Sequence, residues 1–133
     1  MTRRVVLDAS ALVIFFTNAA GAAKVESLLT DALEGKSRLS MSAVNWGEVY
    51  YATWRNQGKA VADRVISEIA RLPIEIEAAT LEATKMSAEI KATYRLPYVD
   101  AFAASLAKRE NAQLLTADSD FSVLKGVIAI QFI

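Results

Sequence analysis

The chain has 133 residues, of which 53% are hydrophobic, and its 15 basic residues balance 15 acidic ones. Zero net charge argues against a protein that binds nucleic acid by bulk attraction, although it leaves a local basic patch open. Because the chain has no Cys and no His, disulfides, thiol nucleophiles, Ser–His–Asp triads and zinc sites built on these side chains are excluded.

The first part of the chain predicts a buried strand followed by two helices. Residues 4–7 form a short β-branched run, and a short helix over residues 9–16 should follow. Residues 22–34 place their apolar side chains on one helical stripe, and Gly35 is a natural stop.

The middle of the chain predicts a strand, two successive helices and a further strand, over residues 38–42, 43–56, 59–71 and 73–77. Ser42 is a good N-cap for the first of these helices, and Gly58 separates it from the second. Two helices in a row interrupt the simple alternation of strands and helices.

The last part predicts two helices, a strand, a short helix and a final strand, over residues 78–94, 97–111, 113–116, 119–125 and 127–132. Pro97 can open its helix because the missing N–H would have no partner there. Strands that alternate with helices predict a three-layer α/β/α sandwich with a mostly parallel sheet, in one domain over residues 1–133.

The apolar beginning of the chain, residues 1–23, is not expected to be a membrane segment. Polar residues such as Asp8 and Asn18 interrupt it, and no continuous apolar run approaches the ~18 residues of a membrane span. We therefore expect a cytoplasmic protein without a membrane partner.

Four acidic residues fall at the carboxyl ends of the predicted strands, where open parallel sheets bind ligands. Asp8 ends the first strand and Asp118 follows the strand over residues 113–116. Asp100 begins the helix that leads into that strand, and Glu48 lies about two turns into the helix after the second strand. Carboxylates so close together repel one another, and a bound Mg²⁺ or Mn²⁺ would remove this conflict and activate a water molecule.

Two of these acids have simpler interpretations as helix-end residues. Asp8 can cap the helix after it, and Asp100 can compensate the dipole of its own helix. For Asp100, the residues on the same stripe favour burial and function, because they are small and apolar and should press against the sheet: Ala103, Ala104 and Ala107.

The other two acids also have simpler interpretations. Glu48 can be a partly exposed helix residue, but its helix is apolar nearly all round, which favours a functional role with Asn45, one turn earlier, as a supporting residue. Asp118 and Asp120 in "TADSDF" can be turn formers.

Four segments resemble the PIN-domain family, and within it the VapC-type toxin ribonucleases. They are "VVLDASAL", "SAVNWGEVYYA", "PYVDAFAASLA" and "LLTADSDF", which occur in the order and spacing of that family. The resemblance covers nearly the whole chain. It implies a parallel sheet of about five strands, in the order 3-2-1-4-5, flanked by helices.

Carried over by position, the resemblance implies an acidic quartet that binds one or two Mg²⁺ or Mn²⁺ ions and performs catalysis: Asp8, Glu48, Asp100 and Asp118. Asp8 and Asp100 are the most dependable ligands of this set. Three further residues have supporting counterparts in the family, namely Ser10 beside the first acid, Thr116 beside the last, and Asp120.

The implied activity is metal-dependent hydrolysis of RNA phosphodiester bonds by the toxin of a type II toxin–antitoxin pair. The implied partners are RNA, a cognate antitoxin and a second copy of the chain, and the helices within residues 43–71 correspond loosely to the family's dimerisation and antitoxin region. Arg55, Lys91 and Arg95 are candidates for guiding the RNA backbone, with solvated surface residues as an equal alternative.

Two other functions compete with this interpretation. A catalytically silent PIN-like module would bind RNA or a protein without cutting, but the complete quartet argues against it. A phospho-accepting receiver domain needs an acceptor Asp after its third strand, where this chain has "EAAT". The sequence does not specify which RNA is cut or whether one or two metals bind.

Overall fold

The computed structural model describes residues 2–133, in which five strands form one parallel sheet with the order β3-β2-β1-β4-β5. The strands are β1 (Arg3–Leu7), β2 (Ser37–Ser42), β3 (Ile74–Glu77), β4 (Gln113–Thr116) and β5 (Ile130–Phe132). The predicted parallel sheet and the strand order implied by the family resemblance are confirmed.

Six α-helices and one 3₁₀ helix connect the described strands. The α-helices are α1 (Ala9–Thr17), α2 (Ala22–Leu33), α3 (Ala43–Gln57), α4 (Lys59–Ile69), α5 (Leu81–Thr93) and α6 (Tyr98–Glu110), and the 3₁₀ helix spans Ser119–Leu124. Ser42 is the N-cap of α3, as predicted, and its hydroxyl accepts a hydrogen bond from the amide of Val44.

Helices cover both faces of the sheet. Val5 and Leu7 of the central strand pack in a core with α1, α2, α3 and α4, whereas Val6 packs on the other face with α6 and Phe121. These three strand residues are at most 1% exposed, as expected for a parallel sheet that is buried on both sides. The predicted three-layer sandwich is confirmed.

Two element boundaries differ from the predictions by three residues, for local reasons, and the others differ by at most two. Helix α5 begins at Leu81 and not at residue 78, because the Thr80 side chain caps it by accepting from the amide of Ala83. Strand β5 begins at Ile130 and not at residue 127. The amides of Val127 and Ile128 donate to the carbonyl of Leu124, so they are unavailable to the ladder.

The carboxyl ends of β1 and β4 lie side by side. Leu7 is paired with Leu115, so the residues that follow these two strands meet at one edge of the sheet. Only two residues join α6 to β4, and Asn111 turns the chain with φ of 51°. Helix α6 therefore runs back along the sheet, and its first turn lies at the same edge.

No single helix among residues 2–133 is both long enough and apolar enough to cross a membrane. Helices α1 and α2 reach the required length and composition only as a pair, and they are bent by 104° relative to each other.

Candidate metal centre

Asp8 is held rigidly at the carboxyl end of β1. It is 3% exposed and is the N-cap of α1, so the capping role is real. Its Oδ1 accepts hydrogen bonds from the Ala11 amide (3.1 Å) and the Ser10 hydroxyl (2.7 Å), and its Oδ2 accepts one from the Thr116 hydroxyl (2.6 Å). Burial raises the pKa of Asp8 above its ordinary value, while these three hydrogen bonds act in the opposite direction.

The hydroxyls of Ser10 and Thr116 connect Asp8 to the loop after β4. Ser10 Oγ also accepts from the amide of Ala117 (2.9 Å), and Thr116 Oγ1 accepts from the amide of Asp118 (2.9 Å). Each hydroxyl has one proton, and the shortest bonds assign both protons to Asp8. Thr116, expected beside the last acid, therefore orients Asp8 with its proton and the Asp118 backbone with its lone pair.

Asp100 lies in the first turn of α6 and is only 6% exposed. The predicted burial of its stripe is confirmed, because the three alanines on it are at most 1% exposed: Ala103, Ala104 and Ala107. Its Oδ2 is buried and accepts no hydrogen bond within the described residues. Burial, followed by the charges of Asp118 and the neighbouring acids, raises the pKa of Asp100 to about 7.

Asp100, Asp118 and Asp120 form an acidic cluster, in which one carboxylate oxygen from each residue lies within 4.8 Å of the other two. Asp118 is half-buried and caps the 3₁₀ helix, with its Oδ1 accepting from the Asp120 amide (2.9 Å), so its turn-forming role is also real. Asp120, expected only as a supporting acid, is exposed and reaches the cluster from one side.

Glu48 and Asn45 approach this cluster from α3. Glu48 is half-buried, and its burial together with the nearby charge of Asp8 raises its pKa. Asn45 is fully buried, and its Nδ2 donates to the main-chain carbonyl of Val99 (3.1 Å), next to Asp100. No sequence signal marks a backbone acceptor such as the Val99 carbonyl, so its part in the site could not be predicted.

The ligand atoms that this site offers fit a hard divalent cation. They are carboxylate oxygens without thiol or imidazole, which is the ligand set that Mg²⁺ and Mn²⁺ prefer. The buried oxygen of Asp100 has no hydrogen-bond donor, which is a costly condition that a bound cation would relieve. Asp8 and Glu48 lie outside the 4.8 Å cluster but are close enough for their charges to raise the pKa of Asp100.

The basic residues suggested for RNA guidance are all exposed, and none makes an ion pair within residues 2–133: Arg55, Lys91 and Arg95. Arg55 lies on α3 with its guanidinium 5.7 Å from the centre of the Tyr51 ring. Lys91 lies in the last turn of α5 and Arg95 lies in the loop before α6, and neither side chain makes a hydrogen bond or an ion pair to the site within residues 2–133.

A cavity of about 420 Å³ lies away from these acids, at the opposite edge of the sheet. It is lined by the end of α6 and the turn before β5, including Lys108, Asn111 and Gly126. No carboxylate lines it. The candidate site therefore lies on the open acidic face and not in this cavity.

Comparison with known proteins gives a family match and several structural matches. The family model described as "PIN domain" matches residues 5–127. No curated protein matches the chain by sequence.

Several solved structures have a similar fold. VapBC2 of Rickettsia felis, bound to a fragment of its promoter DNA, has a TM-score of 0.75 at 16% identity, over 96% of this chain and 97% of that one. VapC20 of Mycobacterium tuberculosis, a toxin that cleaves the sarcin–ricin loop, has a TM-score of 0.70 at 16% identity, over 89% and 92%. DNA-bound VapBC of Salmonella typhimurium has a TM-score of 0.71 at 18% identity, over 98% of both chains.

Proposed function

The chain belongs to the PIN-domain family, and on that premise we propose that it is a ribonuclease that hydrolyses RNA phosphodiester bonds with a divalent metal. The observation that supports this most directly is the state of Asp100, which has a buried carboxylate oxygen without a hydrogen-bond partner among residues 2–133 and belongs to a cluster of three acids with carboxylate oxygens within 4.8 Å of one another. A binding surface for RNA has no use for such a group, because it would repel phosphate.

The residues that would hold the metal are the acidic cluster of Asp100, Asp118 and Asp120, with Asp8 and Glu48 beside it. When bound, Mg²⁺ or Mn²⁺ lowers the pKa of water and offsets the charge that develops on the phosphoryl group. Asp8, fixed by three donors, keeps its carboxylate in one orientation. Burial raises the pKa of both outer acids, but Asp8 is already fixed by its three donors, so the half-buried Glu48 is the better placed of the two to take a proton during hydrolysis.

The decisive test is incubation of the purified protein with RNA in Mg²⁺ or Mn²⁺, followed by chelation. We expect cleavage that EDTA abolishes, and a loss of at least about a hundredfold in Asp100→Asn and Asp8→Asn, the range seen when an electrostatic group of an active site is removed. Asp31→Asn, on α2, is a matched control that should cleave normally. RNA binding without cleavage would favour the catalytically silent module instead.

The cellular role that we propose is that of a toxin in a type II toxin–antitoxin pair. Its support is the similarity in fold to VapBC proteins, one of them a toxin named for cleaving the sarcin–ricin loop. The expected partners are an RNA substrate, a cognate antitoxin and a second copy of the chain, in the cytoplasm where RNA is available.

Induced expression should arrest growth if this role is correct. Co-expression of the protein encoded immediately upstream should relieve the arrest, and the Asp100→Asn variant should not cause it. Normal growth on induction of a protein that cleaves RNA in vitro would leave the ribonuclease proposal standing and overturn the toxin role.

A further inference from the structure

Three residues on one face of α3 form a line that extends away from the acidic site. Glu48, Tyr51 and Arg55 are spaced three and four residues apart, so they form one helical stripe, which we call the α3 stripe. Along the axis, Tyr51 lies ~4.5 Å and Arg55 ~10 Å beyond Glu48, at 1.5 Å per residue. Long side chains on a helix point back toward its N-terminus, and Arg55 does so, because its guanidinium reaches the Tyr51 ring one turn nearer to Glu48.

The outer two residues of the α3 stripe form an exposed cation–π pair. The Arg55 guanidinium lies 5.7 Å from the centre of the Tyr51 ring, and Tyr51 is still 47% exposed. Arg55 has no acidic partner within residues 2–133. An aromatic ring and an unpaired guanidinium on the same exposed surface are the two groups that proteins use to bind single-stranded nucleic acid.

The other aromatic residues of α3 are explained by packing. Trp46 stacks on Tyr50 with ring centres 6.3 Å apart, and the Tyr50 hydroxyl donates to Asp63 of α4 (2.6 Å). Trp54 packs edge-on against Tyr50 and carries Lys59 of α4 over its ring. These contacts hold α3 against α4, whereas the Tyr51–Arg55 pair has no such role.

The charges near the Tyr51–Arg55 pair indicate which ligand the pair can bind. The five acids of the site repel an RNA backbone, and the metal compensates for this only at the phosphate that is cut. The flanking phosphates need a cation of the protein, and Arg55 is an unpaired one on the helix that also carries Glu48. A neighbouring base needs a stacking surface, which Tyr51 supplies.

From this complementarity we infer that the α3 stripe is a subsite for single-stranded RNA, in which Tyr51 stacks with a base flanking the cleaved bond and Arg55 pairs with its phosphate. This inference rests on the proposed function, because it needs RNA at the acidic site.

Binding of a short fluorescent single-stranded RNA to the full chain tests the subsite, with Ca²⁺ in place of Mg²⁺ to offset the acidic charge without efficient cleavage. We expect Tyr51→Ala to weaken binding about tenfold, as for loss of one stacked base. Tyr51→Trp should bind as the wild type does, whereas Tyr51→Leu, which is apolar but has no aromatic face, should not. Arg55→Ala should reduce the slope of log affinity against log salt by about 0.7, the value for one lost phosphate contact.

Matched controls come from the opposite edge of the sheet. Leu33 is 76% exposed at the end of α2, and Arg109 is exposed in the last turn of α6. Leu33→Ala removes an exposed apolar side chain and Arg109→Ala removes an exposed guanidinium, and both variants should leave RNA binding unchanged. Circular dichroism should show that all variants are folded, as expected for substitutions of exposed residues.

Three results would overturn the inference. If Tyr51→Ala and Arg55→Ala bind RNA like the controls while the wild type cleaves RNA in Mg²⁺, the subsite is wrong and the proposed function stands. If these variants keep RNA affinity but lose self-association or antitoxin binding, the stripe is a protein interface. If the wild type neither binds nor cleaves RNA, the proposed function fails and the subsite with it.

Discussion

At the scale of single residues, Asp100 is the most strongly perturbed group of the site. It is 6% exposed, and one of its oxygens has no hydrogen-bond partner among the described residues. Burial and the surrounding acids raise its pKa from 3.8 to about 7. Without a cation, its ionised form is therefore unfavourable in the folded protein but not in the unfolded chain.

This difference predicts how the stability of the metal-free protein depends on pH. Between pH 7 and 4 the folded state binds a proton at Asp100 that the unfolded chain does not bind, so the free energy of unfolding should increase as pH falls. From pH 8 to 5 the increase from Asp100 alone is about 2–3 kcal/mol at 1.36 kcal/mol per pKa unit, and it levels off below the unfolded pKa. Urea unfolding in EDTA at a series of pH values measures it.

The Asp100→Asn variant provides the control for this measurement. Asparagine has a similar shape but does not ionise, so the variant should be more stable than the wild type at pH 8 and should lose the part of the pH dependence that Asp100 contributes. An unchanged slope in the variant, or stability that rises with pH over this range, would contradict the assignment.

At the scale of elements, one side chain joins α3 to the start of α6. Asn45 is fully buried, and its amide nitrogen donates to the Val99 carbonyl across the two helices. This bond fixes the turn of α3 that precedes Glu48 against the turn of α6 that holds Asp100. The relative position of Glu48 and Asp100, two acids from distant parts of the chain, therefore depends on the neutral amide of Asn45.

Replacing this amide by a carboxyl tests the connection. Asn45→Asp keeps the shape but removes the donor, and it should lower the free energy of unfolding at pH 8 by about 0.5–1.5 kcal/mol through the lost bond to the Val99 carbonyl alone, which still belongs to the helical ladder of α6. The added buried charge should make the loss smaller at pH 5. Asn56→Asp, exposed near the end of the same helix, is the matched control, and equal stability of the two variants in urea unfolding would contradict the role.

At the scale of the whole molecule, the sheet and the position of the site can be predicted from the pattern of apolar residues along the sequence. Alternating strand and helix signals place Asp8, Asp100 and Asp118 at one edge before any coordinates are known. The contacts between individual residues of the site could not be predicted from these patterns. Asp120 joins Asp100 because the loop after β4 folds into a 3₁₀ turn, and the Thr116 hydroxyl reaches Asp8 through the pairing of β1 with β4.

Metal binding should stabilise the whole fold if the site is preformed as described. At a concentration of Mg²⁺ or Mn²⁺ 100 times its dissociation constant, the gain is about 2.7 kcal/mol, and it should be largest at alkaline pH, where no proton competes for Asp100. Thermal unfolding with and without metal measures the gain. Asp100→Asn should lose it and Asp31→Asn should keep it, and an equal shift in both variants would place the ion elsewhere.

The central position of β1 has a consequence for protein synthesis. The first strand pairs on one side with β2 and on the other with β4, which is made more than a hundred residues later. Asp8 meets its partner Thr116 only after that pairing. A nascent chain on the ribosome therefore has no assembled centre until β4 and the acids that follow it have emerged, so the site forms later in translation than the strand that carries its first acid.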